Sequence, residues 1–282
     1  MNRKTAIVTG TSSGFGMHCA IELAKAGFYV ISTMRNIGRA ESLLKLADAN
    51  KVSDQIHLHA LDVTSTESIH TFKDLIKEFP SIDVLVNNAG FALGGFSEEL
   101  SIDEYRLQFE TNVFGVMAIT QTVLPFMRKN KRGRIINMSS ISGKFGFPGL
   151  SPYTASKHAL EGYSESLRLE LRPFGIDVVL IEPGSYQTNI WSTIDNMTTD
   201  SQSPYSFYME ALLKNMESSK AGYGNPIDVA NLVTKLAIST KTPKLRYQIG
   251  KGVRLTIWLK SILPWKLLER IITMRLVGNK KR

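Results

Sequence analysis

Cysteine is almost absent from this chain of 282 residues, which contains only Cys19. A single cysteine excludes an intramolecular disulfide and leaves a thiol-rich metal site without ligands. The five histidines do not replace those ligands, because no cluster of carboxylates accompanies them at the spacing that a metal requires. We therefore expect no metal ion, and we expect a protein of a reducing compartment, the cytoplasm.

Long apolar runs are also missing. A helix needs about 20 predominantly apolar residues to cross a bilayer, and Lys260 and Pro264 interrupt the best candidate, which lies near the C-terminus. No charged and then apolar signal segment precedes the apolar residues 5–9. We expect neither export nor a membrane-spanning helix.

Acidic residues are scarce at the C-terminal end. Residues 251–282 contain nine lysines or arginines against one acid, Glu269, so this segment holds a net charge of +8 out of the total of +9. The rest of the chain is nearly neutral and cannot form the broad basic surface that a nucleic acid needs. We therefore expect no nucleic-acid partner.

Short apolar, β-branched runs alternate with longer amphipathic stretches, which is the pattern of a parallel sheet built from βαβ units. The predicted strands are residues 6–9, 29–33, 56–61, 84–86, 134–138, 177–181 and 245–249. Helical periodicity covers residues 17–26, 40–49, 68–79, 102–128, 153–172 and 227–239. The pattern predicts the α/β class, as a Rossmann-like doubly wound, seven-stranded parallel sheet with helices on both faces.

One segment breaks this alternation. Residues 185–224 are rich in Ser, Thr, Asn, Tyr and Met, and we interpret them as a long insertion between the sixth strand and the next helix. Loops of that length are usually functional.

A glycine-rich turn joins the first strand to the first helix, in the order Thr9-Gly10-Thr11-Ser12-Ser13-Gly14-Phe15-Gly16. Glycines allow the backbone to pass close to a phosphate, and the N–H groups at the start of a helix favour an anion. A tight turn without a ligand is the alternative interpretation.

Tyr153 and Lys157 lie four residues apart in a predicted helix, so both side chains can face the same space. A nearby ammonium favours the phenolate and lowers the pKa of a tyrosine from about 10 toward neutrality. Such a phenol can exchange protons with a substrate. Taken alone, the pair would be interpreted as a surface tyrosine and lysine.

The pair does not stand alone, and the set resembles the short-chain dehydrogenase/reductase family over residues 5–250. The matching elements are Thr9, Gly10, Gly14 and Gly16 of the glycine turn, Asp62-Val63, Asn87-Asn88-Ala89-Gly90, Asn112, Ser140 thirteen positions before Tyr153, Lys157, Pro183-Gly184 and Thr188. The resemblance is closer to the hydroxysteroid and retinol dehydrogenase branch. It implies an oxidoreductase that moves a hydride between a nicotinamide cofactor and an alcohol or carbonyl carbon.

The resemblance also implies a role for each catalytic residue. Ser140 holds the substrate oxygen and Tyr153 exchanges a proton with it. Lys157 holds the ribose hydroxyls and lowers the pKa of Tyr153, while Asn112 orders a water behind Lys157. Ser139 is a rival for the serine role, but strand alternation points it the opposite way.

The residues expected to bind the cofactor follow from the same resemblance and, for Ser12, Arg35 and Asn36, from a separate argument on the 2′-phosphate. They are Thr9, Gly10, Ser12, Ser13, Gly14, Phe15, Gly16, Arg35, Asn36, Asp62, Val63, Asn88, Ala89, Gly90, Tyr153, Lys157, Pro183, Gly184 and Thr188. An acid at the end of the second strand would bind the ribose 2′-hydroxyl, whereas an arginine accommodates a 2′-phosphate. Met34 stands where the acid would be and Arg35 follows it, so we expect NADP(H) rather than NAD(H). The alternative is a solvated Arg35 with NAD(H) as the cofactor.

Aromatic residues dominate the segments that should surround the nicotinamide, and no cluster of charges accompanies them. The candidate substrate residues are Phe96, Ser140, Phe145, Phe147, Tyr153, Tyr186 and Trp191. A lipophilic alcohol, ketone or aldehyde fits them best, with a steroid, retinoid or fatty carbonyl as the type. The aromatic rings alternatively only pack the loops together.

We predict a dinucleotide-binding catalytic domain at residues 1–250, which includes the insertion at 185–224, and a basic amphipathic extension at 251–282. Apolar residues of the extension share helical faces on both sides of Pro264. The extension either contacts anionic lipid as a peripheral element or packs on the domain and covers the pocket. Helices 102–128 and 153–172 resemble those that pair subunits in the family, which implies a homodimer or homotetramer. A non-catalytic NADP(H)-binding regulator is the alternative function.

Overall fold

The seven predicted strands are all present in the computed structural model, which describes residues 3–191 and 202–277. They are β1 (Thr5–Thr9), β2 (Tyr29–Met34), β3 (Ile56–Ala60), β4 (Val84–Asn87), β5 (Gly133–Met138), β6 (Ile176–Pro183) and β7 (Arg246–Ile249). Every strand pairs in parallel, and the order across the sheet is β3-β2-β1-β4-β5-β6-β7. The predicted fold class is confirmed.

Ten α-helices are found in the described part of the chain. They are α1 (Gly14–Lys25), α2 (Glu41–Ala49), α3 (Thr66–Ile76), α4 (Ile102–Phe109), α5 (Gly115–Lys129), α6 (Ser151–Leu171), α7 (Ser206–Ser219), α8 (Pro226–Ile238), α9 (Val253–Ile262) and α10 (Trp265–Val277). Local chemistry explains several starts: Ser101 and Glu104 form a capping box on α4, and Asn225 caps α8 with Pro226 at its first position.

The central strands β1, β4 and β6 are largely apolar because helices cover both faces of the sheet, whereas the edge strands β3 and β7 carry polar residues. Along β1, Ala6 and Val8 face one cluster, in which α1 and α8 contribute Cys19, Leu23 and Val233. Between them Ile7 faces the opposite cluster, which α3, α5 and α6 complete. Strand alternation therefore divides the core into two layers.

The strand order reverses between β1 and β4. At such a switch point the helices that follow the two strands lie on opposite sides of the sheet, which opens a crevice at the carboxyl ends. The glycine turn follows β1 and Asn88 follows β4, so both elements border this crevice.

Three elements differ from the sequence-based expectation. The continuous helix predicted at 102–128 is interrupted by a π-helical turn, Glu110–Phe114. The insertion at 185–224 contains a helix of its own, α7, which its weak apolar periodicity conceals. The C-terminal extension forms two helices, α9 and α10, that meet at the turn containing Pro264. Within the described residues no helix is long and apolar enough to span a membrane.

Candidate active site

The glycine turn adopts a backbone that L-residues with side chains avoid. Gly10 and Gly14 have φ values of +71° and +57°, in the left-handed region. The Asn88 side chain fixes the turn, because its Nδ2 donates to the carbonyl oxygens of Thr9 at 2.9 Å and Gly10 at 3.0 Å. A Cβ on Gly16 would collide with the Gly10 carbonyl oxygen and with the same Asn88 amide. The turn is therefore locked close against the end of β4.

The first turn of α1 is free to bind an anion. Its N-cap residue is Ser13, whose side chain makes no capping hydrogen bond to the helix. Unpaired N–H groups at a helix N-terminus, together with the helix dipole, form a phosphate site. They open on a cavity of about 250 Å³ whose walls include Gly10, Ser12, Ser13, Gly14 and Phe15.

The far end of this cavity carries the residues expected to meet the adenine and the 2′-phosphate. Arg35, Asp62 and Val63 all line it. Met34 is buried, and no acid replaces it at the end of β2. Asn36 does not line the cavity, because its Oδ1 accepts a hydrogen bond from the Gly38 N–H at 2.8 Å. Asn36 is thus engaged in the backbone of its own turn.

Thr9 supports the cavity from behind without lining it, whereas Asn88 also lines the cavity. The Thr9 hydroxyl oxygen accepts hydrogen bonds from the backbone N–H groups of Asn88 and Ala89, both at 3.0 Å. These bonds tie the end of β1 to the segment that follows β4. Ala89 and Gly90 line the cavity from that segment.

A second cavity, of about 40 Å³, adjoins the first, because Phe15, Asn88, Gly90, Thr188 and Ile190 line both. Its other walls are Met138, Ser139, Ser140, Tyr153, Lys157, Pro183, Gly184 and Tyr186. The candidate catalytic side chains and the nicotinamide-side residues therefore surround one end of a continuous cleft.

Tyr153 and Lys157 project from α6 toward the end of β5, as their spacing predicts. The Lys157 Nζ lies 5.6 Å from the centroid of the Tyr153 ring. The Tyr153 hydroxyl forms a hydrogen bond with Ser140. Lys157 donates to the Met138 carbonyl oxygen at 2.8 Å, which anchors the ammonium between the phenol and the strand.

Burial dominates the acid–base properties of this pair. It raises the pKa of Tyr153 to about 12, against the opposing effect of the Ser140 hydrogen bond. The expected lowering of the tyrosine pKa by Lys157 is therefore wrong for the protein without a cofactor, because the phenol is almost fully buried. Burial also lowers the pKa of Lys157 to about 8, while the nearby Glu161 carboxylate acts in the opposite direction.

The π-helical turn between α4 and α5 positions Asn112. A wider turn breaks the regular ladder of backbone hydrogen bonds, and such turns occur frequently at functional sites. The Asn112 Nδ2 donates to the Phe91 carbonyl oxygen at 3.0 Å and to the Ser156 hydroxyl at 3.2 Å, and its Oδ1 accepts from the Phe91 N–H. Asn112 thus joins the helix, the segment after β4 and the residue that precedes Lys157.

The two serines after β5 face different partners. Ser140 meets Tyr153, whereas the Ser139 hydroxyl donates to Glu161 Oε1 at 2.7 Å. Glu161 was not singled out from the sequence, although it lies one helical turn after Lys157. It also pairs with Lys144 at 2.7 Å and with Arg246 at 2.8 Å, so a buried ionic cluster supports the back of the site.

The candidate substrate residues separate into two groups. Tyr186 lines the second cavity and packs edge-on against Phe15, with ring centroids 5.3 Å apart. Phe96 stacks on Tyr205 and Tyr208 of the insertion, and Phe145 packs against Phe147. These three phenylalanines hold loops together beside the cleft and do not line either cavity. The Trp191 side chain lies outside the described residues.

The residues present fit a dinucleotide. The glycine turn and the uncapped start of α1 suit a pyrophosphate, Arg35 suits an additional phosphate, and Tyr153 with Lys157 closes the nicotinamide end. Within the described ranges, no three His, Cys, Asp or Glu side chains gather as metal ligands, and Cys19 is buried with its pKa raised to about 12.

Comparison with known proteins places the chain in a family. The family model described as short chain dehydrogenase matches residues 4–199. The chain therefore belongs to the short-chain dehydrogenase family of oxidoreductases.

Three relatives resemble the chain over nearly all of its length. An oxidoreductase of Bacillus subtilis, YusZ, is 51% identical, with 98% of this chain and 99% of the relative covered. The 3-ketodihydrosphingosine reductase of Bacteroides thetaiotaomicron is 35% identical, with 95% and 96% covered. Retinol dehydrogenase 8 of Bos taurus is 32% identical, with 93% and 86% covered. The predicted resemblance to the retinol dehydrogenase branch is confirmed.

Solved structures agree with the fold. A short-chain dehydrogenase from Streptomyces avermitilis superposes with a TM-score of 0.78 at 32% identity and covers both chains completely. An actinorhodin polyketide ketoreductase with NADPH superposes with a TM-score of 0.75 at 29% identity, over 89% of this chain and 97% of that one.

Proposed function

We propose that this protein is an NADP(H)-dependent oxidoreductase that moves a hydride between the cofactor and a lipophilic alcohol, ketone or aldehyde. The observation that carries the proposal is the meeting of Ser140, Tyr153 and Lys157 in a cleft that is also lined by the glycine turn and by the uncapped start of α1. The substrate class is that of steroid-like, retinoid-like or fatty carbonyl compounds.

NADP(H), when bound, supplies or accepts the hydride. The side chains of the protein transfer the proton. In the direction of reduction, the neutral Tyr153 phenol donates its proton to the carbonyl oxygen, which Ser140 holds by a hydrogen bond. In the direction of oxidation the substrate hydroxyl gives its proton to the Tyr153 phenolate. Lys157 would hold the ribose hydroxyls of the bound cofactor and, with a pKa of about 8, would return a proton to Tyr153 after reduction. Asn112 would order a water behind Lys157.

Two features support NADP(H) over NAD(H). Arg35 lines the cavity directly after β2, and a guanidinium binds a phosphate through charge-assisted hydrogen bonds. The residue before it, Met34, is buried and cannot bind a ribose 2′-hydroxyl as an acid would. The ketoreductase structure that resembles this one was solved with NADPH.

The lipophilic substrate class rests on the surroundings of the cleft. Phe96, Phe145 and Tyr186 are buried among other aromatic rings there, so the loops around the opening are apolar. Two relatives are named for 3-ketodihydrosphingosine and for retinol. We further propose that the protein acts in the cytoplasm as a homodimer or homotetramer, with residues 251–282 as an extension of the catalytic domain.

The test is an activity assay with a panel of steroids, retinoids, fatty aldehydes and sugars, in which turnover is measured as the change in NADPH absorbance. We expect turnover with a lipophilic member, a loss of at least 100-fold in Tyr153→Phe with NADPH binding retained, and little change in Tyr163→Phe, a matched substitution on the same helix. Full turnover in Tyr153→Phe would reject the catalytic assignment. NADPH binding with no turnover across the panel would favour a non-catalytic regulator.

A further inference from the structure

The C-terminal helices α9 and α10 attach to the domain through one side. Val253 and Leu268 are buried, and α10 packs against α7 of the insertion. Lys260 contacts the carbonyl oxygen of Lys144, and its Nζ lies 5.7 Å from the ring centroid of Phe145. Both contacts reach elements beside the cleft, because Lys144 and Phe145 follow Ser140 closely in the chain.

The opposite side of these helices is apolar and exposed. On α9, Leu255, Trp258 and Ile262 share a face, and on α10 the same holds for Leu267, Ile271 and Met274. These six side chains and Trp265 are between 41% and 58% exposed. They are seven of the seventeen large apolar side chains exposed in the described part of the chain, although the two helices hold only 23 residues. Patches of this kind mark interaction sites.

The exposed charges around this face are basic and favour an anionic partner. Lys251, Arg254, Lys266, Arg270 and Arg275 are exposed, and within the described residues none of them pairs with a carboxylate. Glu269 is the single acid of the two helices. Two copies of so basic a face would repel each other, whereas an anionic surface would attract it.

We propose that the exposed face of α9 and α10 docks on an anionic phospholipid bilayer and brings the substrate opening to the lipid. Tryptophans at the level of the headgroups, apolar side chains below them and arginines or lysines around them are the chemistry of a helix that lies in a membrane interface. The second half of this proposal rests on the proposed function, because it requires a lipophilic substrate; the docking itself does not.

The docking is tested by flotation of the full-length protein with vesicles of phosphatidylcholine, with and without phosphatidylglycerol. We expect binding that requires phosphatidylglycerol, weakens with salt and blue-shifts the tryptophan fluorescence. The variants Trp258→Ser/Ile262→Ser and Lys266→Gln/Arg270→Gln should each bind at least tenfold more weakly. Matched controls are Leu44→Ser/Ile238→Ser and Arg128→Gln/Lys129→Gln, which remove exposed apolar and basic side chains elsewhere and should bind normally.

Equal flotation of the wild type and the two tail variants would overturn the docking proposal. A change of oligomeric state in those variants, with no vesicle binding by the wild type, would instead assign the face to a second copy. Turnover of a water-soluble carbonyl compound is measured separately and should be unchanged in the tail variants. Turnover of a vesicle-borne carbonyl should fall at least tenfold in them, so a failed docking and a failed enzymatic proposal give different results.

Discussion

Lys157 is a charged side chain that is buried in the active site. Burial lowers its pKa from the usual 10.5 to about 8, which corresponds to a cost of about 3 kcal/mol at neutral pH. Its hydrogen bond to the Met138 carbonyl oxygen returns about 1 kcal/mol. We therefore predict that Lys157→Met abolishes turnover and yet stabilises the fold at pH 7 by about 2 kcal/mol, measured as a rise of roughly 5 °C in Tm.

The pH dependence of this stability difference has a defined sign. Below pH 8 the lysine is charged in both the folded and the unfolded chain, so its full cost is present. Between pH 8 and 10.5 the folded protein binds fewer protons than the unfolded chain, and the stability of the wild type rises relative to the variant. The gap in Tm should close as pH increases through this window. A gap that widens with pH would contradict the assignment of the cost to the buried charge.

Arg35 is the residue whose change should alter cofactor choice. A hydrogen bond to a charged group contributes about 1.5–3 kcal/mol, which is roughly tenfold to 100-fold in binding. Arg35→Ser should therefore raise the KM for NADPH by that factor and leave the KM for NADH nearly unchanged. Arg39→Ser, at the exposed end of the same turn, is the matched control. Steady-state kinetics with both cofactors decide the question, and equal losses for NADPH and NADH would remove Arg35 from phosphate recognition.

At the scale of elements, a buried chain of polar side chains joins the two central strands to their helices. Asn87 at the end of β4 donates to Asn137 Oδ1 on β5 at 2.8 Å, and Asn137 donates to the Ser164 hydroxyl on α6 at 2.9 Å. All three residues are buried. Removal of Asn137 takes one hydrogen bond each from Asn87 and Ser164, which keep their bonds to Thr120 and to the Leu160 carbonyl oxygen, and a lost buried hydrogen bond costs about 1–3 kcal/mol.

We accordingly predict that Asn137→Ala lowers the free energy of unfolding by about 2–3 kcal/mol, measured by urea denaturation with an unchanged m-value. Asn130→Ala, at the less buried end of α5, should stay within about 0.5 kcal/mol of the wild type. Equal free energies of unfolding for the two variants would show that the polar chain does not stabilise the fold.

These elements show which features of the structure the local sequence predicts. Most strands were predictable because a sheet covered on both faces favours short apolar, β-branched runs, and the spacing of Tyr153 and Lys157 was enough to place them together. The π-helical turn at Asn112 was not predictable, because nothing in its residue types departs from an α-helix. Helix α7 was not predicted because its apolar periodicity is weak and it packs against α10, which is distant in sequence. The pKa of Tyr153 depends on burial, which spacing alone does not report.

At the scale of the whole molecule, the surfaces of α4, α5 and α6 expose apolar side chains away from the cleft. Leu169 on α6 is 75% exposed, and Ile102 at the start of α4 and Phe114 at the end of the π-helical turn are also exposed. Isolated apolar residues are common on surfaces, but these helices are the ones whose resemblance to the family implies subunit pairing. An isologous contact would bring the same patch of two copies together and cover it.

We predict that the wild type elutes with a mass of two or four chains of 31.4 kDa in size-exclusion chromatography with light scattering. Leu169→Glu should shift the equilibrium toward a smaller species, because two buried carboxylates would face each other across the contact. Leu44→Glu, a matched change on the exposed side of α2, should not. Neither variant touches α9 or α10, so a loss of assembly in Leu169→Glu with vesicle binding retained would separate subunit pairing from membrane docking. A wild type that stays monomeric at micromolar concentration would contradict the pairing.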